Sequence, residues 1–125
     1  MKFTELKLSG CYLIELEKIQ DDRGFFARSW CHKEFTQYNL NPSLVQCNVS
    51  FNSKQGTLRG MHYQKPPHEE VKLVRCTMGR IYDAIIDLRL DSPTFKQWVA
   101  VELTAENRKM LYIPEGIAHG CLLYT

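Results

Sequence analysis

His62 lies in the stretch Gly56-Thr57-Leu58-Arg59-Gly60-Met61-His62-Tyr63-Gln64, which gathers an imidazole, a guanidinium and an amide into one short run. An imidazole titrates near neutrality and can take a proton at physiological pH. If the stretch is a strand, its period of two puts His62 and Gln64 on one face. Glu69, Glu70, Lys72 and Arg75 follow closely. Lys72 interrupts an apolar run, Val71-Lys72-Leu73-Val74, and two readings stay open for it. It is either an edge-strand lysine in solvent or a cation inside a barrel lumen.

Three further clusters carry chemistry. In Ile113-Pro114-Glu115-Gly116-Ile117-Ala118-His119-Gly120, a Pro-x-Gly turn delivers His119 to the start of the next strand. Two histidines on two strands could converge in one cavity, although a histidine taken alone is more often a satisfied core or surface residue. In Asp21-Asp22-Arg23-Gly24-Phe25-Phe26-Ala27-Arg28, the turn is either merely solvated or holds Arg23 as a phosphate clamp, since guanidinium grips phosphate oxygens bidentately. In Gln46-Cys47-Asn48-Val49-Ser50, polar residues alternate as they would on a strand face lining a pocket.

The elements that must position these residues read almost entirely as strands. Tyr12 to Ile14, Leu44 to Cys47, Val71 to Val74, Ile81 to Leu88, Trp98 to Leu103 and Met110 to Ile113 are short runs rich in β-branched and aromatic residues. Turn signals separate them: Asn39 to Pro42, Asn52 to Gly56, Lys65-Pro66-Pro67, Met78-Gly79, Asp91-Ser92-Pro93 and Pro114-Glu115-Gly116. The best helix is short, from His32 to Gln37. Many strands with almost no helix indicate an all-β sandwich or barrel.

The bulk properties agree. A chain of 125 residues, 44% apolar and 24% charged, suits one soluble domain spanning residues 1–125. Its net charge of +2 is too small to imply nucleic acid as a partner. No apolar run nears the roughly 20 residues of a membrane-spanning helix, and the polar start Met1-Lys2-Phe3-Thr4-Glu5 lacks the apolar core of a secretory signal. A cytoplasmic location is expected. Five cysteines, an odd number without a Cys-x-x-Cys pair, read as free, mostly buried thiols. At the other end, His119 to Thr125 reads as a strand just beginning, so the chain is expected to stop before its domain does.

Two spacings point to a more specific architecture. Gly-x5-His-x-Gln-x4-Glu, followed by Pro-x-Gly-x2-His, resembles the two motifs of the cupin superfamily, a jelly-roll β-barrel. Metal-binding cupins draw two His and a Glu from the first motif and a His from the second. Here Gln64 takes the place of one His, and an amide is a poor ligand for transition metals. No metal is expected, although His62, Glu69 and His119 could form a weak site.

The chain also closely resembles one family, the dTDP-4-dehydrorhamnose 3,5-epimerases of L-rhamnose synthesis. The resemblance rests on Asp-Arg-Gly-Phe-Phe at 22–26, Gln-x-Asn-x-Ser at 46–50, Leu-Arg-Gly-Met-His-Tyr-Gln at 58–64, Lys-Leu-Val at 72–74, Asp-Leu-Arg at 87–89, Ser-Pro-Thr-Phe at 92–95 and Ile-Pro-x-Gly-x-Ala-His-Gly at 113–120. These keep order and spacing from about residue 18 onward. The resemblance implies a metal-free cupin jelly roll, usually a homodimer, acting on a nucleotide-diphosphate sugar without a cofactor. It implies that His62 is the catalytic base and that Lys72 steadies an enolate oxygen. It places Arg59 and His119 in the substrate pocket, and Arg23, Gln46 and Asn48 on the nucleotide side. The family's acid, a tyrosine about a dozen residues beyond the second-motif histidine, and the carboxylate that orients the base would both fall past Thr125; Tyr124 is too near His119 to be that tyrosine. Where the family often has Glu after Arg-Gly-Phe-Phe-x, this chain has Arg28.

The implied reaction suits these residue types. In a 4-keto sugar the protons on C3 and C5 are acidified by the carbonyl. A neutral imidazole can remove one, and a fixed ammonium in a dry cavity stabilises the resulting enolate oxygen. Other functions stay open on sequence alone: a non-catalytic sugar-nucleotide-binding cupin, a related 3-epimerase or keto-isomerase, and a metal-dependent oxygenase.

Overall fold

The computed structural model describes residues 1–124. It contains ten strands and one short helix: β1 (Lys2–Glu5), β2 (Tyr12–Glu15), β3 (Lys18–Asp21), β4 (Gly24–Ala27), α1 (His32–Gln37), β5 (Leu58–His62), β6 (Lys72–Arg75), β7 (Arg80–Asp87), β8 (Trp98–Thr104), β9 (Met110–Ile113) and β10 (Ile117–Leu123). They form two four-stranded antiparallel sheets, ordered β1-β2-β9-β6 and β5-β10-β7-β8, and a separate hairpin, β3-β4. The all-β jelly-roll expectation holds, and the helix falls where the sequence puts it.

The sheets face one another. Leu111 and Ile113 of β9 meet Ile85, Leu103 and Ile117 of the other sheet in one buried cluster, joined by Leu8 and Cys11. The first sheet is buried on its outer face too. Phe3, Ile14, Met110 and Tyr112 pack there against Phe35 of α1 and Leu40, with the Phe3 and Phe35 rings edge to face at 5.4 Å. That double burial explains why β9 reads Met-Leu-Tyr-Ile with no polar position. In β7, by contrast, Asp83, Ile85 and Asp87 alternate inward with less buried neighbours.

Two expectations fail. Residues 44–50 form no strand. Among the described residues, no strand edge pairs with their backbone, and alternation of side chains alone makes no ladder. Leu44, Val45, Val49 and Phe51 are left exposed. The five thiols are free, as expected, but they are not mostly buried: Cys11 is buried, Cys47 is exposed and the other three are intermediate. Among the described residues no helix is long and apolar enough to cross a membrane. Of the expected terminal strand, His119 to Leu123 lies in β10, and Thr125 falls outside the described residues.

Candidate functional site

His62 and His119 stand directly opposite each other on neighbouring strands, β5 and β10. Such partners share a face, with Cβ atoms about 5 Å apart. The pairing then slips: Cys121 faces Arg59, one residue beyond regular register. This bulge puts Arg59 and His62 on the same face although they are three apart, because the extra residue is left out of the alternation. Gly60 makes it possible. Its φ is +113°, and a Cβ there would lie 2.5 Å from the Gly120 Cα and 2.8 Å from the His119 carbonyl oxygen. Gly120 is equally committed, since its own Cβ would meet the Met61 Sδ at 2.8 Å and the Arg59 carbonyl oxygen at 2.9 Å.

This face is the one turned toward the opposite sheet. His119 and Cys121 alternate with Ile117, which lies in the core between the sheets. From β7, Asp83 joins them. It pairs in register with Cys121, is fully buried and lies with Oδ1 3.3 Å from the His119 Nδ1.

Lys72 comes from the opposite sheet. Along β6 it shares a face with Val74 and, just past the strand's end, Cys76, which pack against the inter-sheet core, whereas Val71 and Leu73 pack on the outer side. Of the two sequence readings, the structure supports the inward cation. Its ammonium is partnered by the Glu70 carboxylate. Register thus turns an imidazole and an ammonium toward each other from two facing sheets, residue types suited to proton removal beside a carbonyl.

The other expected residues are placed differently. Arg59 is exposed and donates from Nε to the Asn52 Oδ1 at 2.5 Å. Gln64 lies past the end of β5, so it does not share a strand face with His62. Gln46 and Asn48 are exposed in the irregular segment and do not alternate on a strand. Arg23 sits on the tip of the β3-β4 hairpin, where its guanidinium grips Asp21 at 2.6 Å. Among the described residues that hairpin is a separate two-stranded sheet, paired with neither large sheet, and Arg23 stands apart from His62 and Lys72. Arg28 pairs with Glu34 of α1 at 2.6 Å.

Asp83 was not found by sequence reasoning. The signal was there: an acid at an inward position of the otherwise apolar β7 run. The same strand ends in a second buried acid, Asp87, whose role is visibly structural. It accepts from the Arg89 Nη2 at 2.7 Å, the Ser92 hydroxyl at 2.6 Å and the Thr94 hydroxyl at 2.7 Å. Burial alone would push its carboxyl up, but these hydrogen bonds outweigh that and hold it well below the ordinary carboxylate range. Among the described residues, no group of three His, Cys, Asp or Glu side chains is arranged to hold a metal ion.

Known proteins resemble this chain in sequence and in fold. Residues 5–125 match the family described as dTDP-4-dehydrorhamnose 3,5-epimerase. The Pseudomonas aeruginosa dTDP-4-dehydrorhamnose 3,5-epimerase is 46% identical over 126 residues, covering 100% of this chain and 68% of the relative. The solved structure of the Elizabethkingia anophelis dTDP-4-dehydrorhamnose 3,5-epimerase superimposes with a TM-score of 0.96 at 41% identity, covering 100% of this chain and 68% of that one. The Bacillus anthracis dTDP-4-dehydrorhamnose 3,5-epimerase, solved with TDP and PPi bound, gives 0.94 at 43% identity, covering 99% and 71%. The chain therefore spans about two thirds of the length of these relatives, and less of some others, such as 59% of the Salmonella typhimurium protein.

Proposed function

The chain belongs to the dTDP-4-dehydrorhamnose 3,5-epimerase family, and on that premise we propose that it epimerises C3 and C5 of a nucleotide-linked 4-keto-6-deoxy sugar, converting dTDP-4-dehydro-6-deoxyglucose to dTDP-4-dehydro-L-rhamnose. One observation supports the reading: His62, itself exposed, pairs with His119 on the face of β10 that carries Ile117, and Lys72 pairs with Ile113 of the opposite sheet, so register turns both toward the space between the sheets. His62 takes the proton from the carbon beside the C4 carbonyl. The electron pair moves into the ring, and the C4 oxygen becomes an enolate. The Lys72 ammonium stabilises that charge in a cavity with low-dielectric walls. A proton returned to the opposite face of the carbon inverts it.

The remaining roles follow from the same reading. Arg59 and His119 contact the sugar, beside His62 on the same face. Arg23, Gln46 and Asn48 serve the nucleotide and its diphosphate, whose binding energy is gained far from the reacting carbons. All three are exposed in this chain, and the homodimer we propose would cover the surfaces that carry them. The exposed Phe26, Val45, Val49 and Phe51 support such an assembly. Five unpaired thiols support a reducing, cytoplasmic location.

Solvent deuterium exchange into the 4-keto sugar nucleotide tests the reaction. The full-length protein is expected to incorporate deuterium at both C3 and C5, and His62→Ala to abolish this. Incorporation at C3 alone would mean a 3-epimerase. No incorporation would leave a sugar-nucleotide-binding cupin instead.

A further inference from the structure

Asp83 poses a question that the reaction above does not answer. Its side chain is fully buried, and its Oδ2 has no hydrogen-bond partner among the described residues. Its neighbours on the inward face of β7, Ile81 and Ile85, belong to the apolar core or pack against it. A valine would fill the position without burying a polar atom, and a buried carboxyl with an empty oxygen is a cost to the fold. Something other than packing therefore accounts for an acid here. Its one hydrogen-bond partner among the described residues is the His119 ring, at Nδ1.

A carboxylate beside one ring nitrogen decides where the ring's proton resides. A carboxylate oxygen can only accept, so the nitrogen facing it carries hydrogen, and the other nitrogen is left to face outward. His119 is partly exposed while Asp83 is not, and with Nδ1 against Asp83 its Nε2 is the ring nitrogen left for a ligand. His62, opposite it in register, has no such carboxylate partner among the hydrogen bonds and ion pairs of the described residues.

We infer that Asp83 is a positioning residue acting through His119: it holds the proton on Nδ1 and thereby presents Nε2 to the sugar. The inference rests on the proposed reading in that His119 is taken to touch the substrate. A purely structural Asp83 would leave the ring's proton position free.

The ring nitrogen spectrum of His119, recorded on the full-length protein labelled with nitrogen-15, tests this directly. The expected result is hydrogen on Nδ1. A ring whose only proton is on Nε2 overturns the inference, whatever the activity. The near-isosteric Asp83→Asn can offer its amide N–H to Nδ1 and so favours the other tautomer. It is expected to show that tautomer, with kcat lowered on the order of 10²-fold, KM within about twofold and an unchanged melting temperature. An unchanged ring with unchanged kcat overturns the inference, and so does a loss of kcat with the ring unchanged. If Asp83→Asn does not fold, the unsubstituted protein's ring spectrum still decides. If the unsubstituted protein exchanges no deuterium into the sugar, the epimerase reading fails while the ring spectrum continues to judge Asp83.

Discussion

The lysine of β6 shows how much depends on which way one side chain points. A cation on the outer face of that strand would do no chemistry, whereas on the inner face it can meet an anion that forms during the reaction. Lys72→Ala is expected to lower kcat by about 10²–10³-fold, because a fixed charge aimed at the developing oxyanion is lost. KM should move much less, and steady-state kinetics on the 4-keto sugar nucleotide separate the two. The cysteines divide by burial in the same way. Burial pushes the Cys11 thiol up to about 12, and the thiolate is the reactive form. Maleimide labelling at pH 8 followed by peptide mass spectrometry should therefore modify the exposed Cys47 and leave Cys11 unmodified until the protein is denatured.

Two devices act at the scale of elements. The first is the glycine pair at the β5–β10 seam. A methyl on Gly60 meets backbone atoms that cannot move aside singly. Gly60→Ala should force the strands apart, lower the melting temperature and displace His62 from His119. The loss of activity is expected to exceed what the melting shift explains, because misplacement by about 1 Å near a reacting group costs on the order of 10²-fold in rate. The second is the knot that closes β7, where Arg89, Ser92 and Thr94 converge on Asp87. The folded carboxyl is held below its unfolded value of about 3.9, so its stabilisation is full above about pH 5 and is lost as pH falls below about 4. Asp87→Asn should lower stability at pH 7 by about 2 kcal/mol. It should also flatten the dependence of urea unfolding on pH between 5 and 3. A curve as steep as that of the unsubstituted protein would remove Asp87 as its source.

For the molecule as a whole, the exposed apolar surface is the feature a lone chain does not explain. Phe26 is 74% exposed, Val45 89% and Val49 94%. They lie on a hairpin outside both large sheets and on a segment that has no strand partner among the described residues. Apolar segments of this kind mark sites of association. The full-length protein is expected to sediment at twice its chain mass, and the double substitution Val45→Asp, Val49→Asp to shift it toward the single-chain mass. Sedimentation as a monomer at micromolar concentration would end the dimer proposal.

The class of fold and most of its elements were legible in the amino-acid sequence alone. Period-two alternation and β-branched runs are local properties, and they located β2, β6, β7, β8, β9 and the short α1 closely. The sequence also singled out His62, Lys72 and His119, the residues proposed to carry the chemistry, because they stand in the motifs that give the chain its family resemblance. Relations between strands became fixed only once the chain had folded. Leu44 to Ser50 has a strand's pattern but no partner edge among the described residues, and pairing belongs to two segments at once. Arg59 joins the face of His62 through a bulge that strict alternation does not contain. Gln64, expected beside His62, lies past the end of β5. Lys72 became an inward cation only when the opposite sheet supplied an interior for it to face. Asp83 looked like one acid in an apolar run until β7 and β10 paired and brought its carboxylate to the ring of His119.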